Sequence, residues 1–457
     1  MAVITFIGGG SYAWMPSLLA RTVRNPGFAG DTLVLMDPDA AALGEVAALG
    51  RALIADAGAD LALVATTDRA RALDGADHVV VTIAVGGLEA MAVDLAVPER
   101  FGIHQTVGDT VGPGGLSRAL RNIPVLVDLA REMERRCPRA WLLNLSNPLT
   151  ALTRAVTRET SIRAAGLCQG AVEHVAFLAG LLGEPAGMPP NASVDFVTAG
   201  IDHCPFLLEL RVRGRDGLAE LAARGHRSPD AATPGGGWDR IVGVATGARA
   251  GFALWDILGA LPGIGDRHFV ENLAGLVDDP AHLARYGVAR TSIDDRRRGR
   301  AAARAACLRL TGSPGELDGT ACHAPVAEVI AALAGRGAIT TTLNVENVGQ
   351  IADLPPRANV ETLCRVDATG VHPLAVGRPL PRPALAILHG HIQRQEGVID
   401  AALAGDEALA AALLATDPQL RRPEDARPML AEMIDRNRVW LPRFRSAGAA
   451  TTRQGSA

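Results

Sequence analysis

Residues Val3 to Ile7 form a short apolar run that ends in three glycines and is followed by the helix-period segment PSLLARTVR, from Pro16 to Arg24. That order predicts strand, tight turn and helix. A second strand, Thr32 to Asp39, leads into an alanine-rich helix over residues 40–57, and a third, Ala76 to Gly87, follows another helical piece. A helix from Ile123 to Arg135 precedes the strand AWLLNLSNP, which Pro148 stops, and IRAAGLCQG, from Ile162 to Gly170, reads as one more. Strands alternating with helices of this length imply βαβ units on a parallel sheet. The Pro/Gly/Asn-rich stretch GEPAGMPPNAS over 183–193 then marks a boundary. Beyond it come the strand-like VDFVTAGID, a two-strand pattern around LLELRVRGRDG, a mixed helical region over about 239–310, strands at Ile339 to Val345 and Val360 to Val366, and two C-terminal helices.

The pattern therefore predicts an α/β protein: a Rossmann-like doubly wound parallel sheet over residues 1–190, a mixed α+β domain over 191–440, and a disordered tail over 441–457. The plan is lactate/malate dehydrogenase-like. Composition agrees, since 48% hydrophobic and 21% charged residues exclude a disordered chain. No apolar stretch approaches the roughly 18 residues of a membrane span. The start, MAVITFIGGG, has no basic leader and reads as a mature strand, so a cytoplasmic location is the expectation.

Charge changes the picture more. All 45 basic residues are arginine, which excludes a Schiff-base, pyridoxal-phosphate or Walker A lysine. A net charge of -4 argues against a nucleic-acid partner. The six cysteines form no CxxC pair, so reduced thiols are expected, and a cysteine with a role should be a ligand or a nucleophile.

Gly8, Gly10 and Ala13 form G-x-G-x-x-A between a strand and a helix, with Ser11 inside the turn. The first glycine allows the turn and the second lets backbone approach a pyrophosphate, which the helix N-terminus meets with free N–H groups. Asp37 ends the next strand, placed to accept from a ribose 2'-hydroxyl, and favours NAD over NADP. The rival reading, a degenerate esterase elbow at Gly9-x-Ser11-x-Ala13, lacks the second glycine. Cys168 and His203 each end a predicted strand, where parallel sheets bind ligands. A thiolate with an imidazole suits manganese, iron, nickel or zinc. Spacing alone does not pair them, and a packed cysteine and a structural histidine remain the alternatives.

Taken together, ITFIGGGSY, MDPD, the run from FGIHQTVGDTVGPGG to LLNLSNPLTALTRAV, GLCQG, GIDHCPF, GDRHFVE and NVENVGQIADLP resemble the NAD- and divalent-metal-dependent glycosidases of glycoside hydrolase family 4, closest to the α-galactosidase/α-glucosidase branch. The resemblance implies hydrolysis by hydride removal at sugar carbon 3, proton loss at carbon 2, elimination, water addition and return of the hydride. It implies that Gly8, Gly10, Ser11 and Asp37 hold NAD, that Cys168 and His203 bind a divalent metal, most often Mn, and that Asn147, Gln169 and Asp202 meet the sugar. Asp109 would orient substrate. Relatives carry asparagine where this chain has Asp202, and histidine, asparagine or aspartate where it has Gln169, which cannot protonate a leaving group. The tyrosine base of some relatives has no clear counterpart; His268 is the first substitute and Tyr286 the second.

The third strand is followed by IAVGGLEAM, without the arginine that reads a sugar phosphate in the phospho-glycosidase branch, so a neutral glycoside is the first expectation. Arg267, Arg290 and the run Arg296 to Arg298 supply the alternative, an anionic (uronic, sulfo or phospho) sugar, although the run itself reads first as a solvated arginine-rich helix face. An alternative of another class is an NAD-dependent sugar or hydroxy-acid dehydrogenase, with a nucleotide-sensing module behind it. Expected partners are a small-molecule glycoside and further copies of the chain, as a homodimer or homotetramer, with no nucleic acid and no membrane.

Overall fold

The computed structural model describes residues 1–184, 193–225, 238–239, 244–245, 247–317 and 325–444. Its first half is built on six parallel strands: β1 (Val3–Ile7), β2 (Thr32–Met36), β3 (Ala62–Thr66), β4 (His78–Val81), β5 (Trp141–Asn144) and β6 (Arg163–Gly166). They lie in the order 3-2-1-4-5-6, the doubly wound order that opens a ligand crevice beyond the ends of β1 and β4. The strands are apolar throughout because both faces are covered. Ile4, Phe6 and Val80 enter one core, and Ile7, Val79 and Val81 the other.

Seven helices cross over between or follow these strands: α1 (Met15–Val23), α2 (Ala40–Ala57), α3 (Arg69–Leu73), α4 (Gly87–Arg100), α5 (Gly112–Arg136), α6 (Leu149–Glu159) and α7 (Gly170–Leu181). Helix α2 has the predicted bounds for a local reason: the Asp39 carboxylate accepts from Ala41 N and Ala42 N, and Gly58 ends the helix at φ 57°. The expected third strand is shorter, ending at Val81, and β3 is an edge strand that the alternation did not reveal. Helix α5 begins at Gly112 instead of Ile123. Its opening GPGG reads as loop, yet a Cβ on Gly115 would stand 2.4 Å from the Thr110 carbonyl carbon, so glycine there lets the preceding loop lie against the helix.

The second half adds β7 (Val194–Ile201), β8 (Cys204–Val212), β9 (Arg215–Asp216), a separate ribbon of β10 (Trp238–Asp239) and β11 (Val244–Ala245), then β12 (Leu261–Pro262), β13 (Ile339–Glu346), β14 (Asn359–Asp367) and β15 (Gly370–Pro373). One sheet runs on without a break, as β6-β13-β14-β7-β8-β12. Its join to the parallel half is a single antiparallel residue pair, Asn344 with Gly166. Three helices close the chain, Arg382–Ala404, Glu407–Ala415 and Ala426–Asn437, where two were expected; the first packs on α5 and α6. Leu441 and Phe444, assigned to the tail from sequence, are buried in the core, and residues 445–457 lie outside the described residues. Cys137, Cys168, Cys204, Cys307 and Cys364 are free thiols, and Cys322 lies outside the described residues. Among the described residues no helix is long and apolar enough to cross a membrane.

Candidate active site

The turn after β1 is fixed by its neighbours. Gly8 sits at φ 95°, and a Cβ there would stand 2.6 Å from Thr82 Oγ1 at the end of β4. Gly8 N and Gly9 N both donate to Met36 O, at 2.9 and 2.8 Å. Asp37 accepts from Gly10 N at 3.0 Å through one oxygen and from Asp39 N at 3.0 Å through the other. Each oxygen keeps a lone pair for a ribose hydroxyl. Ser11 N donates to Gly8 O at 3.0 Å, and α1 begins four residues later at Met15. A bare backbone cradle beside a helix N-terminus, with an acid at the next strand end, fits a dinucleotide.

The second cluster joins the two halves of the sheet. Cys168 follows β6, while Asp202 and His203 form the two-residue turn between β7 and β8. Their ligating atoms all lie within 4.8 Å of one another. His203 is held at φ 61°, a conformation that costs a non-glycine residue about 1–3 kcal/mol and is usual at functional sites. The Thr110 hydroxyl donates to Asp109 Oδ1 at 2.9 Å, so its 2.8 Å contact with His203 Nδ1 takes the imidazole N–H. That tautomer leaves the Nε2 lone pair, 3.7 Å from Asp202 Oδ2, free to ligate.

The charge of the cluster calls for a cation. Both Asp202 carboxylate oxygens are buried without a nitrogen or oxygen donor, the Cys168 thiol being the hydrogen-bonding group beside them. Burial raises the Asp202 carboxyl above its ordinary range, and burial together with Asp202 and Glu361 pushes the Cys168 thiol well up. Glu361, on β14, is also raised well above a normal carboxyl by burial and by Asp202, and takes a bond from Asn344 Nδ2 on β13 at 3.2 Å. A sulfur, an imidazole nitrogen and a buried carboxylate at this spacing fit a divalent metal.

Around this cluster lies the loop before α5. Burial opposes ionisation of Asp109, but the guanidinium groups of Arg118 and Arg296 outweigh it and hold the carboxyl below its usual range. The His268 ring centroid lies 4.1 Å from that of His203. Burial, with the Arg267 guanidinium beside it, keeps this imidazole neutral by lowering its pKa well below the ordinary value. Asn272 Nδ2 ties the two histidine backbones together, donating to His203 O at 2.8 Å and His268 O at 3.2 Å.

The structure thus brings Asp109, Cys168, Asp202, His203 and His268 into one centre. Gln169 is the residue before α7, beside Cys168. Asn147 precedes a cis bond to Pro148, and its carbonyl accepts from Arg118 Nε and Asn122 Nδ2, each at 3.0 Å. Arg267 is buried and donates to Thr291 Oγ1 at 2.6 Å. Arg290 pairs with Glu99 at 3.0 Å. Tyr286 packs against the hydrophobic core and stacks on His282, 5.7 Å between centroids, as the residue that ends a short helix. Sequence reasoning passed over Thr110, Arg118, Glu271 and Glu361. A signal existed for the first two, which flank the glycines of VGDTVGPGGLSR; none existed for Glu361, whose neighbours come from other strands.

The profile described as "Family 4 glycosyl hydrolase" matches residues 3–184, and that of the "Family 4 glycosyl hydrolase C-terminal domain" matches 198–420. The chain belongs to the family 4 glycosyl hydrolases. As a member of the family it is an enzyme of the glycosidase class. The α-galacturonidase of Bacillus subtilis (strain 168) is 32% identical over 439 residues, 94% of this chain and 96% of its own. A solved Bacillus subtilis structure described as a glucosidase superposes with a TM-score of 0.85 at 30% identity, covering 95% of this chain and 99% of the other. A 6-phospho-α-glucosidase from gut microorganisms, solved in complex with NAD and Mn2+, has the same fold, with a TM-score of 0.81 at 22% identity over 97% of this chain and 100% of its own.

Proposed function

We propose that the enzyme is an NAD- and divalent-metal-dependent glycosidase of an α-linked anionic sugar, a uronide of the galacturonide type. The observation that carries the redox reading is the Cys168–Asp202–His203 donor set at the strand ends of a sheet whose first turn is a dinucleotide cradle. The full-length similarity to an α-galacturonidase favours the anionic sugar over the neutral glycoside first expected from the sequence.

When bound, NAD would accept and return a hydride at sugar carbon 3, and the metal, Mn in the first instance, would polarise the neighbouring oxygens. The cradle of Gly8, Gly9 and Gly10, with Ser11 and Asp37, holds the cofactor. Cys168, Asp202 and His203 hold the metal. His268, neutral and beside His203, takes the proton from carbon 2. Asp109, ionised between Arg118 and Arg296, stabilises the charge that this transfer leaves on His268. Asn147 and Gln169 orient hydroxyls of the sugar, and Arg267 closes the wall behind His268.

The test is turnover of p-nitrophenyl α-D-galacturonide. Aglycone release should require both NAD and Mn2+, proceed without net NADH, and exchange a carbon-2 deuteron with solvent. Sustained NADH growth with product would establish the dehydrogenase alternative instead. A preference for the neutral galactoside would overturn the uronide assignment.

A further inference from the structure

We infer that Arg296 is the specificity-determining residue that reads the substrate carboxylate. The inference rests on the uronide reading above and goes beyond it by naming the recognising group.

The helix Ile293–Gly312 opens with a capping box between Ser292 and Asp295 and carries three consecutive arginines in its first turns. Two of them behave as a solvated face. Arg297 pairs with Glu89 at 3.2 Å and Asp294 at 3.6 Å, and Arg298 pairs with Asp295; both side chains are exposed. Arg296 turns the other way. Its Nη2 donates to Val107 O at 2.8 Å, on the loop that carries Asp109 and Thr110, and its Nε is buried with no hydrogen-bond partner. Among the described residues no carboxylate stands within 4.0 Å of it, unlike Arg297 and Arg298. Burial lowers its pKa to about 10, against the pull of Asp109, so the guanidinium stays charged at neutral pH.

A largely buried guanidinium without a carboxylate is costly unless an anion completes it. The other cations of the site are committed elsewhere. Arg118 donates to Asn147 O and faces Asp109 at 4.0 Å, and Arg267 donates to Thr291. The Glu271 carboxyl is engaged by the loop backbone, accepting from Val107 N and Gly108 N at 2.7 and 3.0 Å. Arg296 is therefore left with a buried Nε and no carboxylate in contact on this side of the site. A carboxylate on the sugar restores the balance, and the planar fork of arginine matches its two oxygens.

The experiment compares p-nitrophenyl α-D-galacturonide with p-nitrophenyl α-D-galactoside on the enzyme loaded with NAD and Mn2+. Arg296→Gln should lower the uronide-to-galactoside ratio of kcat/KM roughly 10- to 100-fold, the loss expected of a charge-assisted hydrogen bond. The change should lie in the uronide KM, because the interaction is made in ground and transition states alike. Arg296→Lys should recover part of the ratio, and Arg297→Gln on the solvated face should leave it unchanged. Free D-galacturonate, titrated against D-galactose, should show the same selective loss in binding. An equal fall on both substrates would mean that Arg296 only supports the loop through Val107, and would overturn the inference while leaving the uronide reading intact. A wild-type enzyme that prefers the galactoside would overturn both.

Discussion

Thr110 Oγ1 stands 2.8 Å from His203 Nδ1 and thereby fixes which imidazole nitrogen faces Cys168 and Asp202. Replacing the hydroxyl by a methyl removes the acceptor and frees the ring to adopt the other tautomer. Thr110→Val should weaken Mn2+ binding about tenfold, in the range typical of outer-shell partners of metal ligands. Thr110→Ser should restore it. Titration of Mn2+ by calorimetry reads the difference, and equal affinity in all three proteins would dismiss the relay.

The buried Asp202 carboxylate gives a second prediction. Asp202→Asn keeps the shape of the turn residue and removes its charge, so Mn2+ affinity should drop by at least about tenfold while NAD affinity holds. Cys168→Ser, which replaces a soft donor by a hard one, should reorder the preference among Mn, Zn and Ni. If Asp202→Asn binds Mn2+ as the wild type does, the carboxylate is no ligand.

The nucleotide turn is separate from the metal ligands and should fail separately. Asp37→Ala loses the acceptor for Gly10 N and for a ribose hydroxyl, so NAD should bind about tenfold more weakly. Mn2+ affinity should be unaffected. Fluorescence quenching by NAD measures the first, and an unchanged value would remove Asp37 from the cofactor site.

For proton transfer the expected signature is isotopic. His268→Ala should suppress exchange of the carbon-2 deuteron while transient NADH, from oxidation at carbon 3, still forms on mixing. Loss of both signals would assign His268 to binding; survival of both would give the base role to another group.

Acid stability follows from three buried histidines. Burial lowers His78 and His174 to about 4 and His391 to about 3, below the ordinary value near 6.5. Between those values the unfolded chain binds protons that the folded one does not, so stability is full above about pH 6.5 and falls as pH drops toward 4. Urea unfolding at stepped pH should show that slope. His174→Gln should flatten it.

What the sequence shows most plainly is local. Gly8, Gly10 and Asp37 act within one βαβ unit, so their spacing states their geometry, and the capped bounds of the helix over 40–57 are set by Asp39 and Gly58 themselves. The pairing of Cys168 with His203 is not local, because two strands from much later in the chain lie between β6 and β7; only the family resemblance joined them. Asp202 meets Cys168 and His203 through its place in a two-residue turn, which composition does not disclose. Arg296 is indistinguishable from Arg297 and Arg298 as a string of letters, and only the rotation of one helix turns it toward Val107. Helix α5 starts early because tertiary contact with the Thr110 loop overrides the poor helix propensity of GPGG.

The lone Asn344–Gly166 pair between β13 and β6 has a mechanical consequence. Cys168 hangs just past that seam on the cofactor side, His203 hangs from the far hairpin, and Asn344 and Glu361 floor the gap between them. On the metal assignment proposed above, an ion held by both side chains would be a buckle drawn across that single stitch, so loading Mn2+ should raise the resistance of the fold to unfolding.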